Sequence, residues 1–97
     1  MAEVVTLVTG RIAPDRFREV SDPYKEALRS GPPQGLEETF LLKADGAELA
    51  ILSVWRRRAD LDAMLASGEE PFARRLIREA GGTPEVRIFE VLHRSQA

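Results

Sequence analysis

The chain contains no cysteine and no asparagine, and its 97 residues include one histidine, one tryptophan and one tyrosine. Without cysteine there is no disulfide scaffold, no zinc-thiolate centre and no thiol nucleophile. With His93 as the sole imidazole, no metal site and no haem-iron site built from protein ligands is expected. No apolar run approaches the ~18–20 residues that cross a bilayer, and no basic-then-apolar leader opens the sequence. These features lead us to expect a cytoplasmic protein with no membrane partner. An excess of positive charge is also missing. The 14 Lys and Arg against 16 Asp and Glu give a formal net charge of −2, whereas a nucleic-acid binder shows a basic stripe, so no nucleic-acid partner is expected. No glycine-rich phosphate loop, nucleotide fingerprint or Ser-His-Asp order is present.

What is present fits a single domain, 1–97. A chain of this length buries only about 60–65% of its unfolded surface, which leaves modest stability to an isolated copy. Val4 to Ile12 is rich in β-branched residues, with apolar or Thr side chains at both alternating sets of positions, and reads as a strand. Pro14 and Asp15 then open a helix with Phe17, Val20, Tyr24, Ala27 and Leu28 along one stripe. Pro23 lies inside that stripe and predicts a kink, or a restart capped by Asp22. Ser30-Gly31-Pro32-Pro33 ends the helix. Leu36 to Lys43 and Leu49 to Trp55 read as two strands joined by a hairpin at Asp45-Gly46, where glycine accepts a positive φ. Asp60 to Ser67 is a short helix carrying Leu61, Met64 and Leu65. A further helical stretch starts at Pro71, with Phe72, Leu76, Ile77 and Ala80 inward and Arg74, Arg75 and Arg78 on its outer face, and stops at Gly81-Gly82. Val86 to Leu92 is the last strand.

The order β-α-β-β-α-β is that of an α+β ferredoxin-like sandwich, with a four-stranded antiparallel sheet. Helices on one side cover one sheet face, and an antiparallel sheet with a wet second face alternates apolar and polar residues. Here both faces read apolar. The economical cover is a second copy packed sheet to sheet, which predicts a homodimer forming an α/β barrel with a cavity between or beneath the sheets.

Four side chains stand out as candidate ligand contacts, each with a plainer structural alternative. Trp55 ends the third strand and serves either as a wall of an aromatic-binding cavity or as packing. Tyr24, on the inner stripe of the first helix, offers a hydroxyl to a ligand or to the core. Glu37 and Glu38 alternate along a strand, which separates them. Glu38 shares a face with Leu36 and Phe40 in this reading, and would be a buried acid with a raised pKa if that face lines a cavity. Glu90 poses the same question on the last strand. Arg56, Arg57 and Arg58 form a basic turn suited to a carboxylate or phenolate, or to pairing with Asp60 and Asp62. His93 is either a base at a cavity mouth or a surface residue.

The opening strand and helix (VVTLVTGRIAPDRFREV), the strand ending in Trp with its helix (ELAILSVWRRRADLDAML), the second long helix (PFARRLIREAG) and the closing strand (EVRIFEVL) together resemble the antibiotic biosynthesis monooxygenase-like family of dimeric α/β barrels. The likeness spans nearly the whole chain and is densest from Trp55 to Leu65. It implies a homodimer that binds a small aromatic or quinone-like molecule in an apolar cavity lined by the open sheet face, with oxygen chemistry that uses substrate electrons and no cofactor. Family members also include haem degraders. Of the residues associated with these activities, the Trp is matched by Trp55, while the Asn has no counterpart. The helix His falls at or near Met64, a fourth candidate ligand contact that is not a base. The haem-ligating His falls in the Arg74–Leu76 region, which has none. Catalytic residues are therefore unassigned, and a non-catalytic ligand-binding or purely structural dimer of the same fold is the alternative.

Overall fold

The computed structural model describes residues 4–96. The first strand, β1 (Val4–Arg11), is followed by a single 3-10 turn (Pro14–Arg16) and helix α1 (Arg18–Ser30). Strands β2 (Leu36–Lys43) and β3 (Glu48–Trp55) come next, then helices α2 (Arg58–Ala66) and α3 (Phe72–Glu79), and finally β4 (Glu85–Glu90). The strands form one antiparallel sheet in the order β2-β3-β1-β4. This is the expected ferredoxin-like architecture. The β2–β3 hairpin closes where Asp45-Gly46 predicts it, with Gly46 at φ +83° and the Ala44 amide bonded to the Glu48 carbonyl at 3.0 Å.

Three local expectations need correction. Pro23 neither breaks nor restarts α1, which runs unbroken from Arg18 to Ser30. The cost is one backbone bond, to the Glu19 carbonyl. Pro23 and Glu19 are both exposed, which leaves that carbonyl on the solvent side of the helix, while Val20 and Tyr24 are buried on the inner stripe. The last strand ends at Glu90 rather than Leu92, and Leu92 projects into solvent. The third concerns β2, where the register slips between Leu36 and Glu38. Leu36 therefore packs beside Trp55 on the helix side, while Glu38 lies opposite Val54 on the other face with Phe40. The two do not share a face as strict alternation implies.

The helices cover the sheet face that carries Val4, Thr6 and Val8 of β1 and Leu49, Ile51, Ser53 and Trp55 of β3, all of them buried. The core beneath the helices is divided. A larger cluster joins Val8, Ile12, Leu49 and Ile51 to Val20 and Tyr24 of α1 and to Leu76 and Ile77 of α3. A smaller one joins Val4 and Trp55 to Leu61, with Leu36 and Met64 against it. A Cβ at Gly10 would collide with the Ile77 side chain, so this glycine sets how closely α3 lies on β1.

Candidate functional site

Between the two core clusters lies a hollow of about 60 Å³. Its floor is the sheet: Thr6 and Val8 from β1, Ser53 and Trp55 from β3, Val86 and Ile88 from β4. Its roof is Leu61, Met64 and Leu65 of α2 and Phe72, Ala73 and Arg74 of α3. Val86 and Ile88 face the helix side, paired with Val8 and Thr6. They are nonetheless exposed, and this edge is where the hollow opens. The site therefore sits on the covered face. The sequence predicts a cavity on the open face, between or beneath two paired sheets; this hollow is a separate space, left where α2 and α3 bridge over Trp55 and Val8 without filling the gap between them.

Trp55 is 2% exposed, and its indole N–H donates to Thr6 Oγ1 at 3.1 Å. The donor is thus engaged within the protein, and the ring presents an apolar surface to the hollow. A second polar chain approaches from the other side. The Tyr24 hydroxyl donates to Thr39 Oγ1 at 3.1 Å, and Thr39 Oγ1 lies 3.2 Å from Ser53 Oγ. Arg74 stands at the rim, exposed and without an ion-pair partner among the described residues, while Arg75 reaches Glu79 and Arg78 reaches Glu70. The Arg78 guanidinium bonds Glu70 and holds its carboxyl below the ordinary carboxylate value. That bond ties the α2–α3 connection to α3.

Of the four residues singled out from sequence, Trp55 and Met64 meet at the hollow. Tyr24 does not line it. It belongs to the larger core cluster, with its ring centroid 6.3 Å from that of Phe72. Glu38 lies on the opposite sheet face, half exposed, with Arg94 at 3.2 Å. It is not a buried acid here, because the face it shares with Phe40 is the open one. Arg94 also lies 3.8 Å from Glu37, so the two carboxylates expected to stay apart converge on one guanidinium. The basic turn is drawn into ion pairs, Arg56 with Glu37, Arg57 with Asp60 and Arg58 with Asp62. His93 and Glu90 are exposed.

Sequence reasoning missed Thr6, Ser53, Phe72 and Arg74 as lining residues. A signal for the first two was present: each places a hydroxyl in an otherwise apolar strand face, Thr6 between Val4 and Val8, Ser53 between Ile51 and Trp55. Arg74 gave none, because it sits in an arginine-rich outer face. Among the described residues no group of three or more His, Asp or Glu is placed to hold a metal ion. Among the described residues no helix is long and apolar enough to cross a membrane.

By sequence the chain matches no family model, and no curated protein matches it. By structure it resembles the ActVA-Orf6 monooxygenase of Streptomyces coelicolor, solved in complex with nanaomycin D (TM-score 0.74, 11% identity, covering 99% of this chain and 93% of that one). It also resembles SnoaB, a cofactor-independent oxygenase from Streptomyces nogalater (TM-score 0.68, 18% identity, 97% of each chain). A third neighbour is a Deinococcus radiodurans protein provisionally classed as an antibiotic biosynthesis monooxygenase (TM-score 0.72, 11% identity, 97% of each chain). The chain has the antibiotic biosynthesis monooxygenase-like ferredoxin fold.

Proposed function

We propose that this chain is a small-ligand-binding protein that works as a homodimer and holds a compact aromatic or quinone-like molecule in the hollow beside Trp55. The observation that carries the reading is the hollow itself: an apolar space on a monooxygenase-like fold, with two buried hydroxyls on its floor and an exposed guanidinium at its rim. Such a mix of apolar wall and a few convergent polar groups is the usual make-up of a ligand site.

Size bears on the ligand. A hollow of about 60 Å³ is smaller than the ~150 Å³ cavity that holds benzene. Phe72 separates it from two surface clefts of about 220 and 130 Å³, and its ring lines all three. Swinging the ring aside joins spaces that together reach the ~300–1,000 Å³ range of ligand sites. Titration with 1-naphthol tests this reading. Trp55 is the sole tryptophan, so its emission reports directly on the hollow. Saturable quenching, with a rise in thermal midpoint, is expected. A linear, non-saturating response with no thermal shift rejects the site.

The homodimer rests on the open face. Val5, Leu7, Leu52, Val54, Phe40, Leu42 and Phe89 form an apolar surface there that none of the described helices covers. A second copy packed sheet to sheet covers both surfaces at once.

A second reading, cofactor-independent oxygenation, is favoured by Arg74. A guanidinium at the rim stabilises a phenolate, the form of a phenol that gives electrons to dioxygen. In the net reaction a phenol C–H becomes a quinone carbonyl, one oxygen atom entering the product and the other leaving as water. Among the described residues no carboxylate or imidazole lines the hollow, so none of them is placed there as a general base. Oxygen uptake with 1-naphthol above the protein-free rate, lost in Arg74→Gln, supports catalysis. Binding without uptake leaves ligand binding alone.

A further inference from the structure

The floor of the hollow carries a feature that neither packing nor the rim arginine explains. Thr6 and Ser53 are direct cross-strand partners, 8% and 3% exposed, each interrupting an apolar strand face and each lining the hollow. Their hydrogen bonds leave protons unused. The indole N–H has no lone pair, so in its bond with Thr6 the hydroxyl is the acceptor and keeps its own proton. On the other side, Tyr24 donates to Thr39. When Thr39 passes its proton on to Ser53, Ser53 also keeps its own. Neither proton meets an acceptor among the described residues. In the reverse orientation Ser53 donates to Thr39, whose proton is then stranded away from the hollow, and an acceptor in the hollow selects the first arrangement.

We propose that Thr6 and Ser53 are a paired donor site for one neutral acceptor oxygen, a ketone or quinone carbonyl, on an otherwise apolar ligand. The proposal rests on the reading that the hollow binds a small ligand, and it specifies which atom of that ligand points to the sheet. A carbonyl oxygen has two in-plane lone pairs, and cross-strand neighbours stand about 4.5–5.5 Å apart at Cβ, which lets two hydroxyls straddle one oxygen. A carboxylate is a poorer fit, because the floor offers no counter-charge and Arg74 lies at the rim. Tyr24 is then a positioning residue: it anchors the donor end of the row and lets Ser53 point its proton inward.

A matched pair of probes tests this, 1-indanone and indane, which share a ring skeleton and differ in the carbonyl. Binding is followed by the NMR shift of the Trp55 Nε1–H resonance. Wild type is expected to bind indanone about tenfold more tightly, the scale of one to two net hydrogen bonds. Ser53→Ala and Thr6→Val are each expected to shrink that preference, and the pair together to abolish it, with indane affinity unchanged. Thr6→Ser keeps the donor and is expected to keep the preference, which separates loss of the proton from disturbance of the Trp55 contact. Equal binding of both probes to wild type, or a preference that survives both substitutions, overturns the proposal and leaves the hydroxyls to hold water only. Binding of neither probe overturns the small-ligand reading itself, and this assignment with it.

Discussion

The two faces of the sheet are built from the same strands and similar residue types, yet they end in different states. On the face under the helices, Val4, Val8, Ile51 and Trp55 are all but inaccessible. On the other, Phe40, Leu42 and Phe89 remain more than 40% exposed, with Val5, Leu7, Leu52 and Val54 half-buried between them. The covered face holds the hydroxyls: Thr6, Thr39 and Ser53 meet there, with Tyr24 and the Trp55 indole as partners. The open face holds the ion pair of Glu38 with Arg94 and the guanidinium of Arg87 over Phe89, at 4.8 Å from the ring centroid. The covered face is thus a divided core with fixed polar groups inside it, suited to recognising something small. The open face is a broad apolar surface with charge at its margins, suited to a second surface of its own kind.

The largest expected effect falls on the covered face. Trp55→Ala removes the largest fully buried side chain and strands the Thr6 hydroxyl, at a cost of about 3–5 kcal/mol. A chain of this length has roughly 5–15 kcal/mol in all, so the urea midpoint should fall steeply. A small shift would mean that the smaller core cluster contributes little and that the two faces differ less than their burial suggests. On the open face, Leu52→Asp places a charge at the centre of the apolar surface and should leave the fold intact. Light scattering should then give a 10.8 kDa species where the unmodified chain gives twice that mass. A monomer in both cases removes the second copy from that face.

Phe72→Ala sharpens the contrast between a closed and an open hollow. The ring is partly buried, so the loss should stay near 1–3 kcal/mol, toward or below the low end of Phe truncations. Affinity for a two-ring ligand should rise as the adjoining clefts merge, by a few-fold in the fluorescence titration. Unchanged affinity would show that Phe72 does not gate the space. The smallest effect is at Glu70, whose carboxyl is held below its ordinary value by Arg78. Its folded pKa is depressed, so its contribution is present above the unfolded pKa of about 4.3 and is lost as pH falls through the folded value. Both partners are exposed, which keeps the effect small. Protection of the amides across 67–70, taken relative to the intrinsic exchange rate at each pH, should fall in acid in the unmodified chain and stay constant in Glu70→Gln. No difference between the two would detach this ion pair from the α2–α3 connection.

Periodicity and punctuation were enough to read the order of elements, the hairpin at Asp45-Gly46 and the inner stripe of α3, because each depends on residues close in the chain. The same local reading placed Trp55 with Leu49, Ile51 and Ser53, and the structure buries all four together. It misplaced Leu36 relative to Glu38 and Phe40, since a one-residue slip in β2 breaks the alternation between them, and no residue type announces that slip. It expected Pro23 to kink or restart α1, but the helix runs on from Arg18 to Ser30, and the burial of Val20 and Tyr24 outweighs one lost backbone bond.

What the amino-acid sequence determined alone is the set of local choices: which segments extend, which coil, where they turn, and that both sheet faces are apolar. What only the tertiary structure decided is which face the helices take and what lies between. The hollow depends on how far α2 and α3 stand from β1 and β3, and that separation follows from contacts such as Ile77 on Gly10 and Leu61 against Val4. These join residues dozens of positions apart. Thr6, Ser53, Phe72 and Arg74 become one site only through those distances, because hydrophobic burial fixes patterns along the chain while the shape of the space it leaves is set by packing across it.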